Sequence, residues 1–351
     1  MLQESSSQLR RIPTVDISPF AIDQPTVSDT DRLRASRALV AGLHDLGFVQ
    51  VVGHGLSQSE VNEALRWTKA LFDLPYEDKM KAPHPPGPIP HRGYSGIGKE
   101  KVYSQEDVGM DSVDANVGQK LRQIRDFKES FEIGSEHDPV QQNIWLPDDT
   151  LPNFRSYMTE LYEKLCTVSR TVLHAVGIGL DLEGAEQDSL MKLISNRHCQ
   201  LRLLHYPPIS KERLQRDLLA RLPPHRDWGT FTLLFQDEQG GLELKDPRTN
   251  TFLRADPIEG AFVLNIGDML QRYTNDYFVS ALHQVSIPEP ATVSEGGIPA
   301  RYSIPFFVCP DFTDTVSTLP RFITGSNPAK YDPVRFDEYG SVISKYQYET
   351  E

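Results

Sequence analysis

The sequence has few cysteines, no long apolar run and a deficit of basic residues, and each shortage excludes a class of protein. The three cysteines, Cys166, Cys199 and Cys309, show no CxxC spacing. A disulfide framework is therefore not expected, and each thiol is expected to lie reduced in or near a core. No stretch approaches the roughly 18 consecutive apolar residues of a membrane-spanning helix, so no membrane span is expected.

Acidic residues outnumber basic ones by 49 to 36, which gives a formal net charge of −13. This balance argues against nucleic acids and anionic membranes as partners, although a local arginine can still bind an anionic small molecule. Residues 1–7 lack the apolar core of a secretory signal. The hydrophobic content of 38% and the charged content of 24% are typical of a globular protein. We therefore expect a soluble cytoplasmic protein, with no obligate protein partner evident.

The strongest chemical signal lies in one short stretch, Pro224–Phe235. His225 and Asp227 lie two positions apart before a strand-like run, and residues at i and i+2 of an extended strand point to one face. Two histidines and one carboxylate form the facial triad of non-haem Fe(II) oxygenases, which leaves coordination positions open. His283, in a later strand-like run, is the best candidate for the third ligand. The HxD spacing alone is weak evidence, because it arises by chance in many chains.

Two further features accompany this stretch. A strand-like run from Arg301 to Val308 places Arg301 and Ser303 on one face. A guanidinium pairs with a carboxylate through two hydrogen bonds, and a neighbouring hydroxyl adds another. Tyr206 lies at the end of an apolar run upstream. Together these residues favour a site that combines a metal ion with a bound carboxylate.

The spacing of apolar residues predicts a long helix from about Pro152 to Gly177. Downstream, short apolar runs alternate with turn residues, which is typical of a sandwich or barrel. The predicted strands are 200–204, 230–236, 242–244, 252–254, 261–266, 281–285 and 301–308. Two long stretches without core periodicity, the proline-rich 83–94 and the polar 102–123, are predicted to be loops that border the site.

Taken together, the motifs resemble the Fe(II)/2-oxoglutarate-dependent dioxygenases, specifically the isopenicillin N synthase-like family of plant and fungal biosynthetic oxygenases. The resemblance begins at Ile12–Ile17, continues through Gly47–Gly55 and Asp126–Gly134, and reaches the strand at Arg301. It implies an α+β fold with a mainly β core, a double-stranded β-helix (jelly roll). An N-terminal region of helices and strands would precede this core, and the long helix would back its main sheet.

The same resemblance divides the chain into parts of one structural unit. We expect an N-terminal region at 1–135, connecting helices at 136–198, the catalytic jelly roll at 199–310 and a C-terminal tail at 311–351. No internal repeat and no linker between independent domains is evident.

The resemblance also implies a reaction, in which Fe(II), O2 and the cosubstrate 2-oxoglutarate oxidise a small organic molecule, with ascorbate as an accessory reductant. Succinate and CO2 would be the co-products, and the setting would be secondary metabolism. The implied iron ligands are His225, Asp227 and His283. The implied 2-oxoglutarate-binding residues are Arg301, Ser303 and Tyr206.

The implied substrate contacts are Arg92 and Tyr94, because the matching segment of the family lies near the mouth of the active site. Three features depart from the common family pattern. Leu204 stands where many plant members have asparagine, and Arg226 stands inside the HxD motif where threonine is frequent. The stretch between His283 and Arg301 is also longer than usual.

Three other functions stay open at this point. A same-fold Fe(II) oxidase that does not use 2-oxoglutarate would retain the same motifs, and succinate formation would distinguish it. A zinc hydrolase is disfavoured because no HExxH helix motif is present. A non-catalytic small-molecule-binding protein would not need the metal residues, so bound-metal analysis would distinguish it. The sequence leaves open the substrate, the oligomeric state, and the choice among hydroxylation, desaturation and ring-forming oxidation.

Overall fold

The protein is described by a computed structural model over residues 10–21, 27–87, 89, 91–100, 127–195, 198–210, 212–213, 221–287 and 296–344. The α-helices of this part are α1 (Asp29–Leu46), α2 (Gln58–Phe72), α3 (Tyr76–Lys79), α4 (Phe154–Gly179), α5 (Ala185–Met191), α6 (Asp268–Tyr273) and α7 (Phe336–Ser344). Short 3-10 helices cover Ser18–Phe20 and Pro320–Phe322. None of the described helices is both long and apolar enough to cross a membrane.

The first seven strands are β1 (Thr14–Asp16), β2 (Phe48–Val52), β3 (Gly93–Ser95), β4 (Glu129–Ile133), β5 (Gln200–Tyr206), β6 (Leu222–His225) and β7 (Phe231–Gln236). The later strands are β8 (Leu242–Lys245), β9 (Phe252–Arg254), β10 (Phe262–Ile266), β11 (His283–Val285), β12 (Arg301–Val308), β13 (Thr315–Val316) and β14 (Val334–Arg335).

Twelve of these strands form two facing sheets. The major sheet has the order β1-β2-β10-β7-β12-β5-β4-β3, and the minor sheet has the order β6-β11-β8-β9. Side chains from both sheets line one cavity, which therefore lies between them. This mixed α and β architecture with a jelly-roll core confirms the expected fold class.

The long helix α4 packs on the outer face of the major sheet, as predicted. It runs two residues later than the predicted range at each end. The ring of Tyr162 contacts that of Phe306 at 5.4 Å between centroids, and its hydroxyl donates to the Cys199 carbonyl. The buried stripe of α4 repeats at helical spacing and comprises Phe154, Met158, Leu161, Tyr162, Leu165, Val168, Val172, Leu173, Ala175 and Val176.

The cavity follows two neighbouring strands, β5 and β12. They pair antiparallel, with Arg301 opposite Tyr206 and Ser303 opposite Leu204. Since side chains alternate between the faces of a strand, every second residue points to the same side. The lining residues are Gln200, Arg202, Leu204 and Tyr206 from β5 and Arg301, Ser303, Pro305 and Phe307 from β12. The intervening residues Leu201, Leu203, Ile304 and Phe306 lie in the main hydrophobic core.

Strand β6 corrects one detail of the sequence analysis. His225 is its last residue, whereas Asp227 lies in the following loop, so the two do not share one extended strand. The strand was missed because Pro223 and Pro224 occupy its middle, and proline lacks the N–H that a central strand needs. β6 tolerates them because it is an edge strand of the minor sheet.

Candidate metal centre and its cavity

Two histidines and one aspartate from separate elements converge inside the cavity. His225 ends β6, Asp227 follows it, and His283 begins β11 directly opposite His225. Their ligand atoms all lie within 4.8 Å of one another. Oδ1 of Asp227 lies 3.8 Å from Nε2 of His225 and 3.7 Å from Nε2 of His283. The structure thus brings together the three residues that the sequence analysis selected.

Backbone carbonyls orient both imidazoles. Nδ1 of His225 donates to the carbonyl of Pro223 at 2.9 Å, and Nδ1 of His283 donates to that of Ala281 at 3.1 Å. A proton on Nδ1 leaves the lone pair on Nε2, which faces Asp227. Burial and the neighbouring His283 lower the pKa of His225 to about 4, so this imidazole is neutral at neutral pH. The neutral form is the one that binds a metal ion.

The carboxylate of Asp227 is held through one oxygen and free at the other. Oδ2 accepts hydrogen bonds from Oγ1 of Thr232 at 2.5 Å and from Nδ2 of Asn265 at 2.7 Å, which leaves Oδ1 facing the imidazoles. Burial would raise the pKa of Asp227, but the two histidines and these hydrogen bonds hold it below its ordinary value. An oriented carboxylate beside two imidazole nitrogens fits the iron that the resemblance implies.

Arg226, one of the departures from the family pattern, lies between two of these residues in the chain. Its guanidinium donates to the carbonyl of Ser280, three residues before His283. This contact ties the loop after β6 to the segment that leads into β11. The arginine therefore supports the relative placement of the two histidine strands.

One end of the cavity is built around Arg301, whose side chain is fully buried. Its guanidinium donates to Gly240 O at 2.5 Å, to Ser303 Oγ at 2.9 Å and to Gln236 Oε1 at 3.1 Å. All three acceptors are neutral, so these hydrogen bonds hold the charge in place without neutralising it. We call Arg301, Ser303 and Tyr206 the Arg301 end.

Tyr206 completes this end of the cavity. The guanidinium of Arg301 lies 5.0 Å from the centre of its ring, and that of Arg221 lies 5.9 Å away. Burial and the charge of Arg301 lower the pKa of Arg221 to about 10. Among the described residues, the buried hydroxyl of Tyr206 has no hydrogen-bond partner. Such a group costs about 1–3 kcal/mol, so this end suits a ligand with anionic acceptor atoms.

At the other end of the same strand pair, the lining residues carry charges that pair with one another. Nη1 of Arg202 lies 3.0 Å from Oε1 of Glu100, and its Nε lies 2.7 Å from Oε1 of Glu132. Lys128 donates to the other oxygen of Glu100. The Arg202 guanidinium also lies 5.3 Å from the centre of the Phe307 ring. We call the lining set the Arg202 wall; its members are Glu100, Lys128, Gln200, Arg202 and Phe307.

The charges in this wall depend on the protonation states of Glu100 and of the neighbouring His91. Burial alone would raise the pKa of Glu100, but Arg202 and Lys128 hold it well below its ordinary value. His91 lies beside the wall, with Nε2 at 3.1 Å from Nη2 of Arg202. Burial and that guanidinium push the pKa of His91 well below its ordinary value, so the imidazole adds no charge. Among the described residues, the cations Arg202 and Lys128 therefore lie against the carboxylates of Glu100 and Glu132.

The structure places Arg92 and Tyr94 outside the cavity lining. Arg92 is buried, with Nη1 donating to the His91 carbonyl at 2.8 Å and Nη2 donating to Asp138 Oδ2 at 3.3 Å. The hydroxyl of Tyr94 donates to Oε2 of Glu129 at 2.5 Å. Both side chains are thus bound within the protein, and the cavity geometry does not support the predicted substrate contact.

The two predicted border loops have different outcomes. In the proline-rich stretch, Ile89 and His91 line the cavity, so this loop does border the site. The polar stretch 102–123 lies outside the described residues, although Glu100, just before it, lines the cavity.

The Arg202 wall was missed in the sequence analysis, although one signal for part of it was present. In β5, Gln200 and Arg202 share the strand face of Tyr206, because they differ from it by even numbers of residues. Two polar side chains on that face indicate that it borders a cavity and not the hydrophobic core. Lys128 and Glu100 have no comparable signal, since each approaches from a separate segment.

Two family models match this chain. The model described as the N-terminal part of the non-haem dioxygenase in morphine synthesis matches residues 12–153. The model of the 2OG-Fe(II) oxygenase superfamily matches residues 197–310. The second match contains His225, Asp227 and His283 as well as the Arg301 end.

Fungal relatives and solved structures match over nearly the whole chain. The 2-oxoglutarate-Fe(II) type oxidoreductase ppzD of Metarhizium rileyi is 34% identical and covers 97% of this chain and 90% of that protein. The 2-oxoglutarate-dependent dioxygenase imqE of Aspergillus flavus is 35% identical, with coverages of 95% and 93%. The crystal structure of a full-length Neurospora crassa protein in complex with alpha-KG and thymine has a TM-score of 0.80, 29% identity and coverages of 95% and 96%.

Proposed function

This chain belongs to the 2OG-Fe(II) oxygenase superfamily and is an Fe(II)- and 2-oxoglutarate-dependent dioxygenase. From that premise we propose that its iron is held by His225, Asp227 and His283. The observation that carries this proposal is the convergence of three ligand atoms within 4.8 Å, with both Nδ1 atoms bound to backbone carbonyls. With O2 and 2-oxoglutarate, bound iron supplies oxidative decarboxylation to succinate and CO2, which drives oxidation of the substrate.

We propose that the Arg301 end binds the distal carboxylate of 2-oxoglutarate. Arg301 offers a charge whose described acceptors are all neutral, and Ser303 is already in hydrogen-bond contact with it. The hydroxyl of Tyr206 is available to donate to the same carboxylate. Burying this carboxylate without a cationic partner would cost several kcal/mol. The neutral acceptors hold the guanidinium rigid, so little side-chain freedom is lost on binding.

The reaction proposed for this site is the oxidation of a small organic molecule in secondary metabolism. The support is the similarity to fungal 2-oxoglutarate-dependent dioxygenases and the thymine held by the related Neurospora crassa structure. A cavity between two sheets suits such a molecule, because side chains from both sheets can contact it. The division into four segments, the cytoplasmic location and the accessory role of ascorbate stay predictions.

The test is the stoichiometry of the reaction in the purified protein. Fe(II) and 2-oxoglutarate are added with O2, and succinate, bound metal and consumed 2-oxoglutarate are measured together. We expect metal-dependent succinate formation, slow without a primary substrate. Metal binding without 2-oxoglutarate consumption, even with substrate present, would favour the oxidase alternative. No metal binding at all would favour a non-catalytic binding protein.

A further inference from the structure

We propose that Arg221 is a second cation of the Arg301 end, and that it strengthens the selection of a 2-oxo acid with a distal carboxylate over one with an uncharged end. This inference rests on the proposed function, because it assumes that the Arg301 end binds that carboxylate. It goes beyond that function by assigning a role to a residue that does not line the cavity, and by stating which ligands this residue discriminates.

Arg221 is a buried arginine without an ion-pair partner among the described residues. It lies directly before β6, and it is only 3% exposed. Nη2 donates to the carbonyl of Pro299 at 2.5 Å, whereas Nε has no hydrogen-bond partner within the described part of the chain. Burying a charge without an opposite charge is costly. An anion that a ligand brings to this place would therefore explain why the protein keeps an arginine here.

Arg221 and Arg301 approach one aromatic ring. Their guanidinium groups lie 5.9 and 5.0 Å from the ring centre of Tyr206, which is within the roughly 6 Å of a cation–π contact. Burial and then the like charge of Arg301 lower the pKa of Arg221, so the two charges lie close enough to repel each other. The charge of Arg221 therefore acts at the place where Arg301 and Tyr206 face the cavity.

The formal charges at this end leave one positive charge in excess. The charged groups that act on Arg221 are Arg301, which repels it, and Asp237, which attracts it. The carboxylate of Asp237 accepts hydrogen bonds from the backbone N–H groups of Tyr302 at 2.6 Å and Gln239 at 3.1 Å. Two cations and one carboxylate become balanced when one further carboxylate binds. The distal carboxylate of 2-oxoglutarate supplies that charge, and an uncharged end does not.

The hydrogen bond to Pro299 offers a competing explanation for Arg221. Pro299 lies two residues before Arg301, the first residue of β12, so this bond also ties the start of that strand to β6. A tether alone would affect every ligand of the site alike, whereas a charge favours only a ligand that carries the opposite charge. Arg221 does not line the cavity, so we assign it as a positioning residue that acts through Arg301 and Tyr206.

The experiment compares 2-oxoglutarate with 2-oxopentanoate, which has a methyl group in place of the distal carboxylate. Each acid is titrated calorimetrically into the full chain loaded with Fe(II), without O2, for the unchanged protein and for Arg221→Met. We expect Arg221→Met to weaken the binding of 2-oxoglutarate roughly tenfold and to leave the weaker binding of 2-oxopentanoate unchanged. An unchanged affinity for 2-oxoglutarate, or an equal loss for both acids, would overturn the inference.

Two further substitutions separate the charge of Arg221 from its hydrogen bond. Arg221→Lys keeps a positive charge, whereas Arg221→Gln keeps a donor for the carbonyl of Pro299 without the charge. The preference for 2-oxoglutarate over 2-oxopentanoate, measured as the ratio of their dissociation constants, should be largely retained in Arg221→Lys and reduced in Arg221→Gln. An equal preference in these two variants, or the reverse order, would show that the charge of Arg221 is not what selects the ligand.

Arg301→Leu is titrated in the same way, so that failure of the proposed function can be recognised separately. If Arg301→Leu weakens 2-oxoglutarate binding and Arg221→Met does not, the proposed cosubstrate site stands and only this inference is overturned. If Arg301→Leu leaves the affinity for 2-oxoglutarate unchanged, the proposed cosubstrate site itself is wrong. The matched control is Arg34→Met, which removes an exposed arginine paired with Asp31 on α1 and should change neither affinity.

Discussion

Arg301 and Arg202 are two buried arginines on paired strands, and they differ in what surrounds their charge. Each guanidinium lies near an aromatic ring of the other strand, Arg301 over Tyr206 at 5.0 Å and Arg202 over Phe307 at 5.3 Å. Arg301 is held only by neutral acceptors, whereas Arg202 lies against two carboxylates. The comparison teaches that burial alone does not make an arginine available to an anion, because the groups that contact its guanidinium decide this.

The largest effect should come from removing a residue of the proposed iron site. We expect Asp227→Ala to abolish substrate-dependent turnover and to lose bound iron, because it deletes the carboxylate between two imidazoles. His283→Ala should behave alike. Metal content and succinate formation are the measurements, and Asp73→Ala, which removes an exposed partner of Lys69, is the control. Full activity in His283→Ala would refute the assignment of the triad.

The next effect concerns the free energy of unfolding and compares the two arginines directly. Arg202→Met should lower the free energy of unfolding by about 3–5 kcal/mol, because it leaves Glu100 and Glu132 buried with less compensation. Arg301→Met should cost about 1 kcal/mol or less, since it leaves no carboxylate of the described residues without an ion-pair partner. Denaturant unfolding without 2-oxoglutarate measures both. Equal losses in the two variants would mean that their surroundings do not differ as described.

Cosubstrate affinity should show the reverse order for these arginines. Arg301→Leu should raise the KM for 2-oxoglutarate roughly 100-fold, or about 2–3 kcal/mol. Arg301→Lys should recover only part of this loss, because an ammonium cannot pair with both oxygens of a carboxylate in a fork. An unchanged KM in Arg301→Leu would show that another residue anchors the cosubstrate.

The smallest effect should come from Tyr206→Phe. The hydroxyl is buried without a described partner, so its removal should leave the free energy of unfolding unchanged or slightly higher. If the hydroxyl donates to 2-oxoglutarate, the KM for 2-oxoglutarate should rise a few-fold, or about 1 kcal/mol. Lower stability with an unchanged KM would assign Tyr206 a structural role only.

Several elements of this protein were predictable from the sequence because their signals are local. β12 has the predicted bounds, Arg301 to Val308, and Arg301 and Ser303 share a face because the period of a strand is two. The long helix follows from apolar spacing alone. The histidines and Asp227 were selected by residue type and spacing, and the structure brings their ligand atoms together. β6 was missed because its prolines are typical of a loop.

The sequence by itself therefore determined most strands of the jelly roll, the long helix and the residues of the candidate metal site. Only the tertiary structure decided which charges compensate one another. Arg202 meets Glu100 across 102 residues of chain, whereas Arg92, selected as a substrate contact, is bound to Asp138 instead. The physical reason is that strand and helix periodicity depends on near neighbours in the chain. The electrostatics of a buried site depend on side chains that sheet pairing brings together from distant segments.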